Sequence, residues 1–265
     1  MSELLKNGLN KEYLEKLAAD IYAAYDKFNV TDFVSSVMDE TWNSLELKGR
    51  MRHITINPKK FLPESYPEAI AIIDKVIAEY GDWLTGLGAM FFPDFMEVYG
   101  LDDEHWDISI AVLERYTYHA SAEFAVRPFI IKDEKRMMTQ MYAWSKSDSP
   151  HVRRLSSEGC RPALPWAQAL PGFKKGPTPV FPILEQLKTD PDKWIRKSVA
   201  NNLNAISKTH PDLVAKIAKE WYGKMMIQIG LLNTLAEPCL KRAIVMCWRF
   251  LTSTMQIPLP QAVLL

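Results

Sequence analysis

Apolar residues recur along this chain at helical intervals. Leu14, Leu17, Ala18, Ile21, Tyr22 and Tyr25 fall at i, i+3, i+4, i+7, i+8 and i+11, the stripe of an amphipathic helix with one buried face. Val30-Thr31-Asp32 offers a cap, and Phe33, Val34 and Val37 continue the apolar face. Leu45 to His53 predicts a basic helix leading to Asn57-Pro58. Tyr66-Pro67 predicts a new start, because proline in a first turn sacrifices no hydrogen bond, with Ile70, Ile72, Ile73, Val76 and Ile77 buried behind it. Gly81 to Gly100, rich in Gly, Phe, Met and Trp, interrupts the periodicity and predicts a packed loop. No segment alternates with a period of two, so the pattern predicts an all-α chain.

From residue 105 a faint repeat emerges. Trp106-Asp107-Ile108, His151-Val152-Arg153-Arg154 and Trp194-Ile195-Arg196-Lys197 each open an apolar helix, and Ile108, Val152 and Ile195 recur at intervals of 44 and 43 residues. HEAT-type helical pairs repeat every 40–47 residues or so, roughly this spacing. Partner helices are expected near 129–143, 180–188 and 211–221. The predicted architecture is therefore a HEAT-like repeat α-solenoid over residues 1–224, with one helix of each repeat lining a concave face. That face would carry Arg153, Arg154, Arg161, Arg196 and Lys197, with Asn201, Asn202 and Asn204. Such a basic groove suits a nucleic-acid duplex held by its phosphates.

Charge sharpens this picture. The chain is formally neutral, yet residues 1–124 hold 11 basic and 22 acidic side chains, and residues 125–224 hold 18 basic and 9 acidic. A basic block of this size is either a phosphate-binding surface or an ordinary solvated face. The cysteines Cys160, Cys239 and Cys247 are odd in number and scattered, which argues against a disulfide framework and for a reducing cytoplasm. No apolar run is long enough for a membrane span, and the first residues lack a signal-peptide pattern, so no membrane partner is expected. There is no glycine-rich phosphate loop and no His/Cys set at zinc spacing, and the five histidines are dispersed. Neither a cofactor nor a metal is expected.

The string from Asp148 to Trp166 concentrates the chemistry. Ser149-Pro150 starts a helix, Arg154 and Glu158 lie four apart on one face, and Arg161 extends that face past Gly159. Pro162, Pro165 and Trp166 form a stiff exit carrying an indole. Two guanidinium groups, a carboxylate and a flat ring suit a phosphate-rich ligand with a cationic centre. Each also has a purely structural reading. Glu158 could support its helix by pairing with Arg154, and Glu123 could cap a helix or pair with Arg127. Trp166 could plug the core, as Trp144 and Trp194 could.

After Lys224 the pattern fails, and the closing Gln256 to Leu265 is apolar and uncapped. Shifted back one base, codons for Met225–Leu240 can encode Asn-Asp-Asp-Thr-Asn-Trp-Ile-Val-Lys-His-Ala-Cys-Arg-Thr-Leu-Leu, another Trp-Ile-basic helix. Residues 225–265 are therefore expected to be translated out of frame; the alternative is a genuine divergent terminus. The nucleotide sequence decides between them.

Several blocks together resemble a known family. They are Glu3-Leu-Leu-Lys-Asn-Gly, Leu47-Lys-Gly-Arg-Met-Arg-His, Phe91-Phe-Pro-Asp-Phe, Ser121-Ala-Glu-Phe-Ala-Val-Arg-Pro-Phe, the His151–Trp166 string and Lys197-Ser-Val-Ala-Asn-Asn-Leu-Asn. Over residues 1–224 they are similar to the AlkC branch of the HEAT-repeat DNA alkylation-repair glycosylases. The resemblance implies a monomeric, cofactor-free, cytoplasmic enzyme acting on alkylated double-stranded DNA. It would excise cationic N3-alkylated bases, chiefly 3-methyladenine and possibly 3-methylcytosine, without full base flipping. Carried over by motif, Glu123 and Glu158 are the candidate catalytic carboxylates, Trp166 the aromatic contact, and Arg154 and Arg161 the phosphate clamps. The family run Asn-Asn-Leu-Asn is typically followed by Asp, whereas here Ala205 follows. That departure, with the tail, admits a second reading: a weak or inactive copy serving as a DNA- or protein-binding module.

Overall fold

The computed structural model describes residues 5–224, with side chains as far as Trp221. The frame-shift expectation for 225–265 lies outside these residues. Every regular element among the described residues is helical. No helix there is long and apolar enough to cross a membrane. The chain divides into two compact units, the first Met1–Glu134 and the second from Lys135 onward.

The first unit opens with α1 (Lys11–Ala24) and α2 (Val30–Val37). Leu14, Leu17, Ala18 and Ile21 are buried as the stripe requires, whereas Tyr22 stays half exposed. The cap of α2 is Asn29 rather than Val30-Thr-Asp. Its Oδ1 accepts from the Asp32 amide at 3.0 Å, and its Nδ2 donates to the Asp32 carboxylate at 2.7 Å, so the two residues close the first turn together. Next come α3 (Leu47–Ile56) and α4 (Tyr66–Tyr80).

The packed loop expected between Gly81 and Gly100 instead contains a helix, α5 (Phe91–Tyr99). Pro93 does not break it, because it sits in the first turn, where amides have no partner within the helix. Phe91, Phe92, Phe95 and Met96 are buried, and α5 packs on α3 and on α6 (Trp106–Tyr116). Gly100, just past α5, is required by close approach: a Cβ there would lie 2.2 Å from the Ser109 hydroxyl. The single partner helix expected at 129–143 is two helices, α7 (Val126–Lys132) and α8 (Glu134–Trp144), interrupted at Asp133.

In the second unit, α8 is followed by α9 (Pro150–Gly159), α10 (Pro171–Lys175), α11 (Phe181–Leu187), α12 (Lys193–Ser207) and α13 (Pro211–Lys224). The predicted helix starts near 150, 180, 193 and 211 are all present. Helix α9 packs along α12 and against α11, and α12 packs on α13. Val152 and Leu155 meet a core that includes Ile195, Val199, Leu203 and Ile206, all buried.

One buried charge fixes how α12 begins. Asp190 is 7% exposed in the turn before the helix. Its carboxylate takes two bonds from the Arg153 guanidinium of α9, Nε at 2.7 Å and Nη2 at 3.3 Å, and accepts the Asp192 amide at 2.9 Å. Arg196 donates to the Asp190 and Pro191 carbonyls at 2.6 and 2.9 Å. Asp192 then caps α12 by accepting the Trp194 amide at 2.8 Å. Removing one partner of a buried ion pair strands the other charge. Asp190→Ala should therefore lower stability by about 3 kcal/mol, read as a shifted urea midpoint with an unchanged slope.

Candidate functional site

Helix α9 presents Glu158 on its buried side, at 2% exposure. A carboxylate placed there must be paired. Arg161, just beyond the helix end, folds back so that Nη1 lies 2.8 Å from Glu158 Oε2. Arg154, one turn earlier, approaches Oε1 only to 3.9 Å, too far for a hydrogen bond. The i,i+4 pair anticipated from spacing is thus the looser contact, and the i,i+3 contact with Arg161 is the tight one. The Arg154 guanidinium lies over the Trp194 ring, 4.7 Å from its centroid. The His151 imidazole meets that ring edge-on at 5.3 Å. Trp194 remains 43% exposed. It had a structural reading from sequence, and it shares its helix face with Lys197 and Asn201 at i+3 and i+7.

Trp166 sits in the loop that leaves α9. The loop is closed by Leu170 N donating to Pro162 O at 3.0 Å and Ala167 N to Leu164 O at 3.1 Å. Leu164 and Leu170 anchor it in the core. The indole is 65% exposed, so the core-plug reading is set aside. Trp166 also has φ +65°, the only positive φ outside glycine among the described residues. Such a backbone costs on the order of 1–3 kcal/mol and persists only where its surroundings impose it. Here the flanking prolines and the loop-closing bonds supply that constraint.

Glu123 belongs to the first unit, in the turn between α6 and α7, and is half-buried. Its Oε2 accepts the Ser121 hydroxyl at 2.8 Å. Ala122, Ala125 and Val126 around it are buried, which fixes the turn. The neighbouring Phe124 ring lies under the Lys48 ammonium at 4.9 Å.

The expected basic face of the second unit divides by task. Arg153 and Arg196 are engaged inside the protein, bracing the turn around Asp190; Arg153 Nη1 also donates to the Ser147 and Asp148 carbonyls. Lys197 is exposed and Asn201 half-buried, both on the helix face that carries Trp194. Asn202 points inward, its Nδ2 donating to Ser157 O at 2.7 Å and tying α12 to α9. Ala205 is buried and supplies no carboxylate. Among the described residues, Asp102, Glu104 and His105 in the first unit have ligand atoms within 4.8 Å of one another, the grouping closest to a metal site. Two of the three are exposed acids, and His105 is stacked on Tyr66 at 4.5 Å.

Known proteins match this chain in sequence and fold. The family described as DNA alkylation repair enzyme matches residues 116–228. An uncharacterized protein of Bacillus subtilis (strain 168), YhaZ, is 45% identical over 219 residues, which is 83% of this chain and 60% of that protein. The solved structure of Pseudomonas fluorescens alkylpurine DNA glycosylase AlkC, bound to DNA containing an abasic site analog, superimposes with a TM-score of 0.82. It is 31% identical and covers 91% of this chain and 67% of its own. The chain thus spans about three fifths of one relative and two thirds of the other.

The strained backbone at Trp166 predicts an inverted stability order. Trp166→Gly should be more stable than Trp166→Ala by about 1 kcal/mol, because glycine adopts the left-handed region without penalty. Paired thermal melts of the two variants check this.

Proposed function

The chain belongs to the DNA alkylation repair enzyme family, and from that premise we propose that it is a DNA N-glycosylase that removes cationic N3-alkylated bases from duplex DNA. The observation that carries the reading is a buried, arginine-paired carboxylate, Glu158, one short loop from an exposed indole held in a strained backbone. AlkC, with its HEAT-like helical fold, provides the template.

An N3-alkylated purine carries positive charge, so its N-glycosidic bond is already weak. As the bond breaks, its electron pair neutralises the base, which leaves without a strong acid. Water adds to the sugar C1′ and gives up one proton. The protein has to stabilise positive charge developing on the sugar and orient the water, and a fixed carboxylate serves both ends. Glu158 and Glu123 are the candidates for this role. The Trp166 face can hold a cationic base or sugar, an attraction worth about 0.5–2 kcal/mol. Arg154, Lys197 and Asn201 offer contacts to phosphate, while Arg161 holds the Glu158 carboxylate in place. Excision without full base flipping, acceptance of 3-methylcytosine and a monomeric, cytoplasmic enzyme belong to the same proposal.

With Ala205 supplying no carboxylate, the catalytic burden falls on the two glutamates. The same residue supports the runner-up, a copy that binds duplex DNA without cutting it.

Release of 3-methyladenine from methylated duplex by the purified protein separates the two. Glu158→Gln, which keeps a partner for Arg161, should slow release by about 100-fold or more with little loss of binding. Release at the wild-type rate removes Glu158 from the mechanism, and binding without release by the parent protein establishes the runner-up. Arg154→Ala should weaken binding and reduce the slope of log K against log salt by about 0.9, as expected for one lost phosphate contact.

A further inference from the structure

The structure assigns Asn202 as a positioning residue for Glu158: from the interior of α12 it clamps the last turn of α9, on which the candidate carboxylate rides. This inference rests on the glycosylase reading above and deepens it at the same site.

Glu158 stands at a weak place in its helix. The last carbonyls of a helix have no partner within it, and helix ends open more readily than helix interiors. Glu158 is the penultimate residue of α9, and the helix ends on Gly159, the residue type with the most backbone freedom. Arg161 bonds Glu158 twice, Nη1 to Oε2 at 2.8 Å and its amide to the Glu158 carbonyl at 3.3 Å, so this pair closes within the turn itself. Cys160 Sγ lies 3.1 Å from Ser156 O, also within that turn, and a thiol is a weak donor. A short bond reaches the turn from outside it: Asn202 Nδ2 donates to Ser157 O at 2.7 Å, one residue before Glu158.

Asn202 is itself firmly held. It is fully buried in the interior of α12, among the buried side chains of Val199, Leu203 and Ile206. Yet it is a poor choice for cohesion alone. Its Oδ1 and the Ser157 Oγ are both buried without a hydrogen-bond partner, and each such atom lowers stability. A leucine of similar volume would pack there without a stranded carbonyl oxygen, leaving Ser157 O beside the Cys160 thiol at 3.5 Å. What the amide adds is direction. It fixes where the Ser157 carbonyl points, and with it the turn under Glu158.

The test uses the full chain with Asn202→Leu, Asn202→Ala, Glu158→Gln and the Asn202→Leu/Glu158→Gln pair. The melting midpoint, binding to a duplex carrying an abasic-site analogue, and KM and kcat for 3-methyladenine release are read for each. Asn202→Leu should lower kcat about 10-fold, the scale of a small displacement of a reacting group. Its KM, duplex affinity and melting midpoint should stay near those of the parent. Asn202→Ala, which also removes the donor, should lose as much kcat. In the Glu158→Gln background Asn202→Leu should add nothing, because the two residues act as a unit. In the DNA-free protein, amide hydrogen exchange at Glu158 and Gly159 should quicken about 10-fold in Asn202→Leu, while Val199 and Leu203 keep their protection.

A leucine variant with the parent's kcat overturns the positioning role. So does one whose binding and melting midpoint collapse along with kcat, since the amide is then only a structural tie. A loss that alanine does not share assigns the effect to bulk, and an equal further loss in the Glu158→Gln background shows action other than through Glu158; either overturns the inference. Unchanged exchange at Glu158 and Gly159 overturns the clamp whatever the DNA results. A parent protein that releases no base, with exchange as expected, removes the glycosylase reading and the clamp's catalytic task, and leaves the clamp itself.

Discussion

The ion pair between Arg153 and Asp190 is the constraint on which the second unit's site depends. Both partners are largely withdrawn from water, so each is costly unless it meets the other in good geometry. The geometry is met only when the turn before α12 lies against the first turn of α9. That single requirement sets where α12 starts, where the Asp192 cap falls and where the Trp194 ring stands. The apolar seam of Val152, Leu155, Ile195 and Val199 supplies the driving force for packing. The charge pair supplies its register.

Adjacent arginines in α9 have opposite fates for a simple reason. Successive helical residues are turned by about 100°, so Arg153 and Arg154 cannot serve the same surface. Arg153 turns to the Asp190 brace, and Arg154 turns to the row shared with Trp194 and Glu158. One helical segment thus contributes both the Asp190 brace and the candidate carboxylate, and a shift of α9 would disturb them together. Asn202 reinforces the arrangement from α12 by bonding a carbonyl near the end of α9.

Trp166 and Glu158 show two ways of holding a side chain in place. Glu158 is buried and paired, its position over-determined by packing and by Arg161. Trp166 is exposed, and its position is imposed by a backbone that most residues avoid. Strain of this kind survives where the neighbouring chain leaves no alternative, and it tends to mark ligand-facing positions. Under the proposed function, a rigid ring and a fixed carboxylate would require little reorganisation on binding, which is what stabilisation of a developing cation demands.

The helices were legible because their signals are local. Periodicity marked α1 and α4, proline starts marked α4 and α9, and the 43-residue interval linked α9 to α12. Where local signals misled, a local rule had been read too strictly. The Gly-, Phe-, Met- and Trp-rich run from Gly81 to Gly100 suggested a loop but holds α5, and the single helix expected at 129–143 is interrupted at Asp133. The residue types of the site were legible by motif, but the task of each charged side chain was not. Helix α3 reads as a basic surface helix, yet Arg50 lies over the Trp42 ring, and Arg52 bonds Asp94 and Glu97 from α5. Glu97, whose carboxyl burial pushes up, needs that guanidinium beside it. Arg153 likewise finds its partner 37 residues away. The sequence by itself determined which segments coil and which faces are apolar, because those follow from neighbours within two turns. Only the tertiary structure decided which cations are consumed as braces and which lie over an aromatic ring, because a long side chain is claimed by whatever group the fold brings within about 4 Å of it.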